Sequence, residues 1–193
     1  MSKPKQFEVS RAQVDALRLF WQKGYEATSI NDLVERLQIS RSSLYDTFGG
    51  KHRLFLDILD LYRRRTVYYT EQILDSDQPV LVSLKMVFDN VIDGVGAPEG
   101  TLGCLMVNSA AELAPSDVEV TTVVKSYDDA MLAILTRTME RGQARGELSR
   151  AYPAEQLALL FFNTLQGTRL LVKVGYAKAQ LVALRDMCLN SLI

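Results

Sequence analysis

The chain has 193 residues, of which 48% are hydrophobic and 23% are charged, and its formal net charge is −1. This composition is typical of a globular protein and excludes a disordered, collagen-like or low-complexity chain. No apolar run reaches the ~18 residues that a membrane-spanning helix needs, and the polar segment Met1–Glu8 predicts no secretory signal. Two cysteines and a single histidine, His52, argue against a disulfide framework and against histidine-based metal or triad chemistry, and a reducing cytoplasm is the simpler setting.

The charged residues are unevenly distributed along the chain. The segment Met1–Arg65 holds 12 Lys and Arg against 8 Asp and Glu, a net charge of +4, whereas the remainder holds 10 against 15, a net charge of −5. A basic N-terminal third joined to an acidic remainder predicts two parts with different partners. Nucleic acid is one partner that suits the basic part.

Two helices are predicted first. Ser10 and Gln13 form a capping-box pattern, after which apolar residues recur at helical spacing until Gly24. Thr28 is expected to cap a short second helix, whose apolar residues recur every three or four positions as far as Leu37.

Two more helices follow in the basic part. Ser40 is the right residue type to cap a third helix, which Gly49 and Gly50 end. Lys51 begins a longer fourth helix, and the segment 75–79, which ends in proline, breaks it.

Five further helices are predicted: one after Pro79, Cys104–Leu113, Asp117 to about Arg141, one from Pro153, and Ala177–Leu192. Asp93–Gly103, with four glycines and one proline, is expected to form a loop, and Gly142 and Gly146 are expected to end the seventh helix. No period-2 alternation of useful length occurs. We therefore predict an all-α chain of about nine helices.

The second and third helices are the first feature that carries chemistry. Two short helices separated by a few residues, with a third helix ahead of them, form a helix-turn-helix, here over residues 29–48. In that arrangement the later helix, Arg41–Phe48, enters the major groove, with Leu44 and Phe48 directed inward. The polar residues left outside are Arg41, Ser42, Ser43, Asp46 and Thr47. An alternative interpretation is two short helices of any helical domain with a solvated polar face.

Phosphate binding is predicted at two helix N-termini. Thr28 and Ser29 place hydroxyl and N–H groups at the start of the second helix, where an anion is stabilised. Lys51 adds a positive charge at the start of the fourth.

The sequence resembles the DNA-binding domain of the TetR family of transcriptional regulators over about Gln6–Tyr62. The elements that carry the resemblance are Gly-Tyr-x-x-Thr-Ser at 24–29 and Leu-Tyr-x-x-Phe at 44–48, followed by Lys51. The resemblance implies a DNA-binding domain over 6–65 and a helical ligand-binding and dimerisation domain over 66–193. It also implies phosphate contacts by Thr28, Ser43, Tyr45 and Lys51, and base contacts by Arg41 and Ser42.

Several positions depart from the family pattern, among them Val34, where alanine is usual, and Ser42, where glycine is usual. Gln38 stands in the turn where glycine is frequent, so a positive φ there would cost about 1 kcal/mol. Thr47 stands where the family usually has histidine, and it is expected to contact a phosphate.

The eighth and ninth helices are candidates for a dimer interface. Their apolar residues extend beyond one stripe, and two such helices from each of two subunits would form a four-helix bundle. The predicted interface residues are Leu157, Leu160, Leu165, Leu181, Leu184 and Cys188. The alternative is that these residues cover an internal core. A homodimer would bind a palindromic operator, because its two recognition helices lie about one DNA turn apart.

A ligand pocket is predicted in the C-terminal part. Aromatic and methionine side chains suit an adaptable apolar pocket for a small apolar inducer, although such residues are more often plain core. The candidate lining is Phe88, Cys104, Asn108, Tyr127, Met131 and Phe161.

The segment Gly103–Leu113 is similar to a helix found in one subgroup of the family. Asn108 and Glu112 lie four residues apart and are expected to offer polar contacts within the pocket. Cys104, at a helix N-terminus, is either a reactive thiol or a buried structural one.

These features together predict a cytoplasmic, ligand-responsive repressor. It binds double-stranded operator DNA as a homodimer, is released by a small-molecule or thiol-reactive inducer, and needs no metal or cofactor. The rival classes are a helical protein-binding adaptor and a helical-bundle enzyme, although the paired Glu-x-x-His motifs of di-iron bundles are missing from the sequence.

Overall fold

The computed structural model describes residues 3–94 and 100–193, and within these ranges the chain forms α-helices and one 3-10 turn but no strand. The α-helices are α1 (Lys3–Lys23), α2 (Ile30–Leu37), α3 (Arg41–Phe48), α4 (Lys51–Leu74), α5 (Val80–Asp93), α6 (Leu105–Leu113), α7 (Val118–Ala144), α8 (Ala154–Lys173) and α9 (Lys178–Asn190). The all-α prediction is confirmed. The predicted loop Asp93–Gly103 lies partly outside the described residues, and its later part contains the 3-10 turn Gly100–Leu102.

Two of the predicted helix starts are wrong. The helix α1 begins at Lys3, so Ser10 lies within it and is not its N-cap. Pro4 is tolerated there because the first turn of a helix has no intrahelical acceptors for its N–H groups. The N-cap of α2 is Ser29 and not Thr28, because Asp32 three residues later completes a capping box with Ser29.

One predicted helix end is also wrong. Gly142 lies inside α7, which continues to Ala144, and the chain turns at Gly146 with φ +70°. A Cβ at Gly142 would lie 2.6 Å from Leu148 Cγ, so glycine at this position permits close packing.

The chain divides into two compact units. Unit 1 comprises the residues up to Arg64 together with Asn108–Val124, and unit 2 comprises Arg65–Val107 and Lys125–Ile193. The helices α4, α6 and α7 therefore each contribute residues to both units. The division into a DNA-binding domain over 6–65 and a ligand-binding domain over 66–193 stays a prediction.

Each unit has its own apolar core. In unit 1 the rings of Phe20 and Phe55 meet edge to face with centroids 4.9 Å apart, and Leu33 and Leu44 are fully buried. In unit 2 Phe88 of α5 and Phe161 of α8 meet in the same way at 4.9 Å, and α9 packs against both helices. Burial of each such side chain contributes about 1.5–3 kcal/mol, which is what fixes the helices in place.

Gln38, the C-cap of α2, is the only non-glycine residue with positive φ (55°) in the described ranges. We expect Gln38→Gly to raise the free energy of unfolding by about 0.5 kcal/mol, because glycine removes the αL penalty but adds freedom to the unfolded chain. Urea denaturation followed by circular dichroism measures this difference. Gln38→Ala is the control, since it keeps the penalty, and a glycine variant no more stable than the alanine variant contradicts the expectation.

Candidate DNA-binding site

The predicted helix-turn-helix is present in unit 1. The helices α2 and α3 are joined by Gln38–Ser40, and the αL conformation of Gln38 lets the N–H of Ile39 donate to Val34 O at 3.3 Å. The inner faces of the two helices are held by buried leucine and phenylalanine side chains, namely Leu33, Leu37, Leu44 and Phe48. The opposite face of α3 is therefore directed to solvent.

Three hydroxyl groups meet at the N-terminus of α3. Ser40 caps the helix by accepting the N–H of Ser43 at 3.0 Å, and its Oγ lies 2.9 Å from Ser42 Oγ and 2.8 Å from Ser43 Oγ. Arg41 follows the cap as the first residue of the helix and is exposed, as are Ser42, Tyr45 and Thr47. Hydroxyl groups, N–H groups and a guanidinium at one helix N-terminus are the groups that bind phosphates and base edges.

Lys51 is held in place by an aromatic ring. Its Nζ lies 4.1 Å from the centroid of the Tyr25 ring, a cation–π distance. The Tyr25 ring packs in turn against Phe55, with centroids 4.8 Å apart, and partial burial raises its pKa. The Lys51 ammonium is thus fixed at the start of α4 while its charge stays available to a phosphate.

The N-terminus of α2 is less suited to an anion than predicted. Thr28 is buried, and its hydroxyl donates to Gly24 O at 2.6 Å, so that group points into unit 1. The hydroxyl of Ser29 donates to Asp32, whose carboxylate also accepts the Ser29 N–H at 2.8 Å. Hydrogen bonds from Lys23, at 2.8 Å, and from Ser29 hold the pKa of Asp32 well below its usual range, so a negative charge already occupies this helix start.

Glu112 contacts a different part of the molecule from the ligand pocket that the sequence analysis predicted for it. Its carboxylate accepts the backbone N–H of Tyr25 at 3.0 Å and that of Glu26 at 2.8 Å, so it contacts the α1–α2 turn. The expectation that it offers a polar contact inside a ligand pocket is therefore wrong in this structure. No local pattern predicts a hydrogen bond between residues 87 positions apart in the chain.

The candidate ligand residues divide between the two units. In unit 2 the side chains of Phe88, Cys104, Tyr127, Met131 and Phe161 are all buried. Asn108 is half-buried and belongs to the segment of α6 that groups with unit 1.

Arg169 adds a polar group to this core that the sequence did not indicate. Its Nη1 donates to Tyr127 Oη and to Gln166 Oε1, each at 3.0 Å, and lies 3.5 Å from Cys104 Sγ. Burial raises the pKa of Tyr127 to about 12, while the neighbouring Arg169 acts in the opposite direction. Cys104 is only 2% exposed, which matches the structural-thiol alternative.

The predicted interface residues fall on both faces of α8 and α9. Four of them are buried in the core of unit 2 itself, namely Leu157, Leu165, Leu181 and Cys188. Leu184 is half-buried, and Leu160 is 44% exposed. The outer faces also expose Leu170 (52%) and Met187 (71%), and a Cβ on Gly167 would meet nothing within 4 Å.

Neither a membrane span nor a metal-binding cluster occurs in the described ranges. None of the helices there has the length and apolarity to cross a membrane. Likewise, those residues include no group of three or more His, Cys, Asp or Glu side chains arranged to hold a metal ion.

The fold and the exposed α3 face define a helix-turn-helix DNA-binding protein. Residues 14–58 match the family described as bacterial regulatory proteins, tetR family, and residues 81–187 match the tetracyclin repressor-like C-terminal domain. The two matches together cover more than half of the chain. The chain therefore belongs to the TetR family of transcriptional regulators.

Individual relatives agree with this assignment. The HTH-type transcriptional regulator YezE of Bacillus subtilis (strain 168) is 30% identical, over 83% of this chain and 88% of that protein. The HTH-type transcriptional repressor ComR of Escherichia coli (strain K12) is 29% identical, over 97% of this chain and 90% of that protein. Among solved structures, a cysteine mutant of the TetR family regulator CifR complexed with 26-bp double-strand operator DNA is 26% identical, with a TM-score of 0.83 over 94% of this chain and 95% of that one.

Proposed function

We propose that this regulator is a repressor that binds a palindromic operator as a homodimer and is released by a small molecule. The observation that carries the proposal is the arrangement at the start of α3 and α4, where Arg41 is exposed next to three hydroxyls and Lys51 is held over the Tyr25 ring. The similarity of this chain to the CifR cysteine mutant, whose structure is complexed with operator DNA, supports the same partner. A protein that acts on operator DNA works in the cytoplasm.

The roles of individual residues follow from these positions. Arg41 and Ser42 face base edges, whereas Ser43, Tyr45, Thr47 and Lys51 contact phosphates. Ser29 caps α2, with its N–H and its hydroxyl both bonded to Asp32, and Thr28 supports the α1–α2 turn from inside, because its hydroxyl is bonded to Gly24 O.

The ligand-binding part of the proposal concerns unit 2. A small, largely apolar inducer binds among the aromatic and methionine side chains there, close to the polar group formed by Arg169, Tyr127 and Cys104. A thiol-reactive inducer acting at Cys104 is the second form of the same proposal. In either form the inducer must bind the released state more tightly than the DNA-bound state, since only differential affinity shifts the equilibrium.

A gel shift with the purified chain tests the proposal. The probes are a palindrome from the chain's own promoter region and a scrambled fragment of the same length and composition. We expect tighter binding to the palindrome, with both affinities falling as salt rises from about 50 to 200 mM because counterions are released from phosphates. Equal affinity for the two probes contradicts the repressor and favours a helical adaptor.

A further inference from the structure

The α1–α2 turn, residues 24–28, is held from outside by a carboxylate. Both oxygens of Glu112 are used, one accepting the Tyr25 N–H at 3.0 Å and the other accepting the Glu26 N–H at 2.8 Å. Two successive N–H groups directed at one carboxylate form charge-assisted hydrogen bonds, which are stronger than neutral ones. A Cβ at Gly24, whose φ is +83°, would lie 3.0 Å from Glu112 Oε2, so glycine permits both the turn and the close approach.

The same turn positions Lys51. The backbone of Tyr25 that Glu112 holds carries the ring that lies 4.1 Å from the Lys51 Nζ. Within the turn, Thr28 donates its N–H to Tyr25 O at 3.1 Å and its hydroxyl to Gly24 O at 2.6 Å. A displacement of the Tyr25 backbone would therefore move the ring and the start of α2 together.

A second carboxylate of the same chain segment contacts the residue after Lys51. Asp117 Oδ2 lies 2.8 Å from His52 Nε2, and Asp117 Oδ1 accepts the N–H of Val120 at 3.0 Å. The segment Asn108–Val124, which groups with unit 1, thus contacts both the α1–α2 turn that carries the Tyr25 ring and the residue after Lys51 in α4.

We propose that Glu112 is a positioning residue for DNA binding, acting through Tyr25 to hold the Lys51 ammonium where it meets a phosphate. This inference rests on the proposed function, because it requires Lys51 to contact DNA. It assigns to a residue of α6, outside the helix-turn-helix, an indirect part in operator affinity through the position of Lys51.

The decisive variant is Glu112→Gln, which keeps the shape of the side chain and replaces one acceptor oxygen with an NH₂ group facing a backbone N–H. We expect its dissociation constant for the palindromic operator to rise about fivefold or more, with a salt slope lower by about 1 per subunit, as if the Lys51 contact were lost. Hydrogen exchange of the Tyr25 and Glu26 amides, measured by NMR without DNA, is expected to become at least about tenfold faster.

The control is Glu26→Gln, which removes the same charge from an exposed residue of the same turn. Loss of a negative charge near DNA by itself strengthens binding, so the control is expected to bind as well as the wild type or better. Weaker operator binding by Glu112→Gln, against unchanged or tighter binding by Glu26→Gln, therefore separates positioning from the general effect of removing a negative charge.

A double variant tests whether the effect of Glu112 on DNA binding depends on Lys51. If Glu112 acts through Lys51, Glu112→Gln combined with Lys51→Ala binds about as weakly as Lys51→Ala alone, whereas independent roles give the product of the two losses. A fully multiplicative loss overturns the inference, and so does wild-type affinity in Glu112→Gln. Failure of the wild type to prefer the palindrome instead contradicts the proposed function, while amide exchange that is unchanged in Glu112→Gln overturns the positioning role by itself.

Discussion

Charged substitutions on the outer face of α8 and α9 are expected to convert the regulator into a monomer. Leu170→Glu with Met187→Glu places two carboxylates where apolar side chains are 52% and 71% exposed in the subunit. Each dimer would then bury four carboxylates without partners, a cost that exceeds the contribution of the apolar contacts they replace. The mass in solution, measured by light scattering after size exclusion, is expected to fall from twice 21.7 kDa to 21.7 kDa.

Gly167 is a second reason to place the interface on this face. Glycine inside a helix costs about 1 kcal/mol relative to alanine, and the surroundings of Gly167 within the subunit do not require it, because a Cβ there would meet nothing within 4 Å. A second helix packed closely against α8 would explain the missing side chain.

Loss of the dimer is also expected to weaken operator binding by about 10²-fold or more, because a monomer binds one half-site without the gain from the linked second site. Tyr68→Glu is the control for an added surface carboxylate, since it places one negative charge on an exposed residue of α4. A dimeric mass for the Leu170→Glu/Met187→Glu variant would place the interface elsewhere. Dissociation of the Tyr68→Glu control to the same extent would also contradict an interface confined to this face.

The sequence pattern predicted α8 and α9 as interface helices but did not distinguish their buried faces from their exposed ones. The helix α8 is apolar over so wide an arc that its hydrophobic positions face both the core of unit 2 and the solvent. Leu157 and Leu165 lie on the first face, whereas Leu160 and Leu170 lie on the second. Only packing against α5 and α9 distinguishes the two, and that depends on tertiary contacts.

Local sequence signals correctly predicted both ends of α3 in the helix-turn-helix. Ser40 caps α3 and Gly49 ends it as predicted, because a capping hydroxyl and an αL glycine act within one turn of the chain. The N-cap of α2 was predicted one residue too early, because Thr28 and Ser29 are both common capping residues. The capping box requires an acceptor three residues after the cap, and Asp32 has that spacing from Ser29. The contacts of Glu112 and Arg169 were not predictable, since their partners lie far along the chain.

Alanine variants of Arg41 and Lys51 are expected to weaken operator binding in different ways. Arg41→Ala removes a base-reading guanidinium from each recognition helix, so we expect about 1–3 kcal/mol less discrimination per half-site and a smaller loss on scrambled DNA. Lys51→Ala removes a phosphate contact, so binding to operator and scrambled DNA should weaken by a similar factor.

Salt dependence separates these two roles most sharply. Each Lys51 that neutralises a phosphate contributes about 0.9 to the slope of log affinity against log salt, so a dimer of Lys51→Ala is expected to lose about 2 from that slope. Arg145→Ala, which removes an exposed positive charge from unit 2, controls for net charge and is expected to leave the slope within error of the wild type. If Arg41→Ala keeps the preference for the operator and Lys51→Ala loses it, then Lys51 reads the bases and Arg41 contacts the phosphate. Discrimination would then come from the start of α4, where the Tyr25 ring fixes the ammonium, and not from the start of α3.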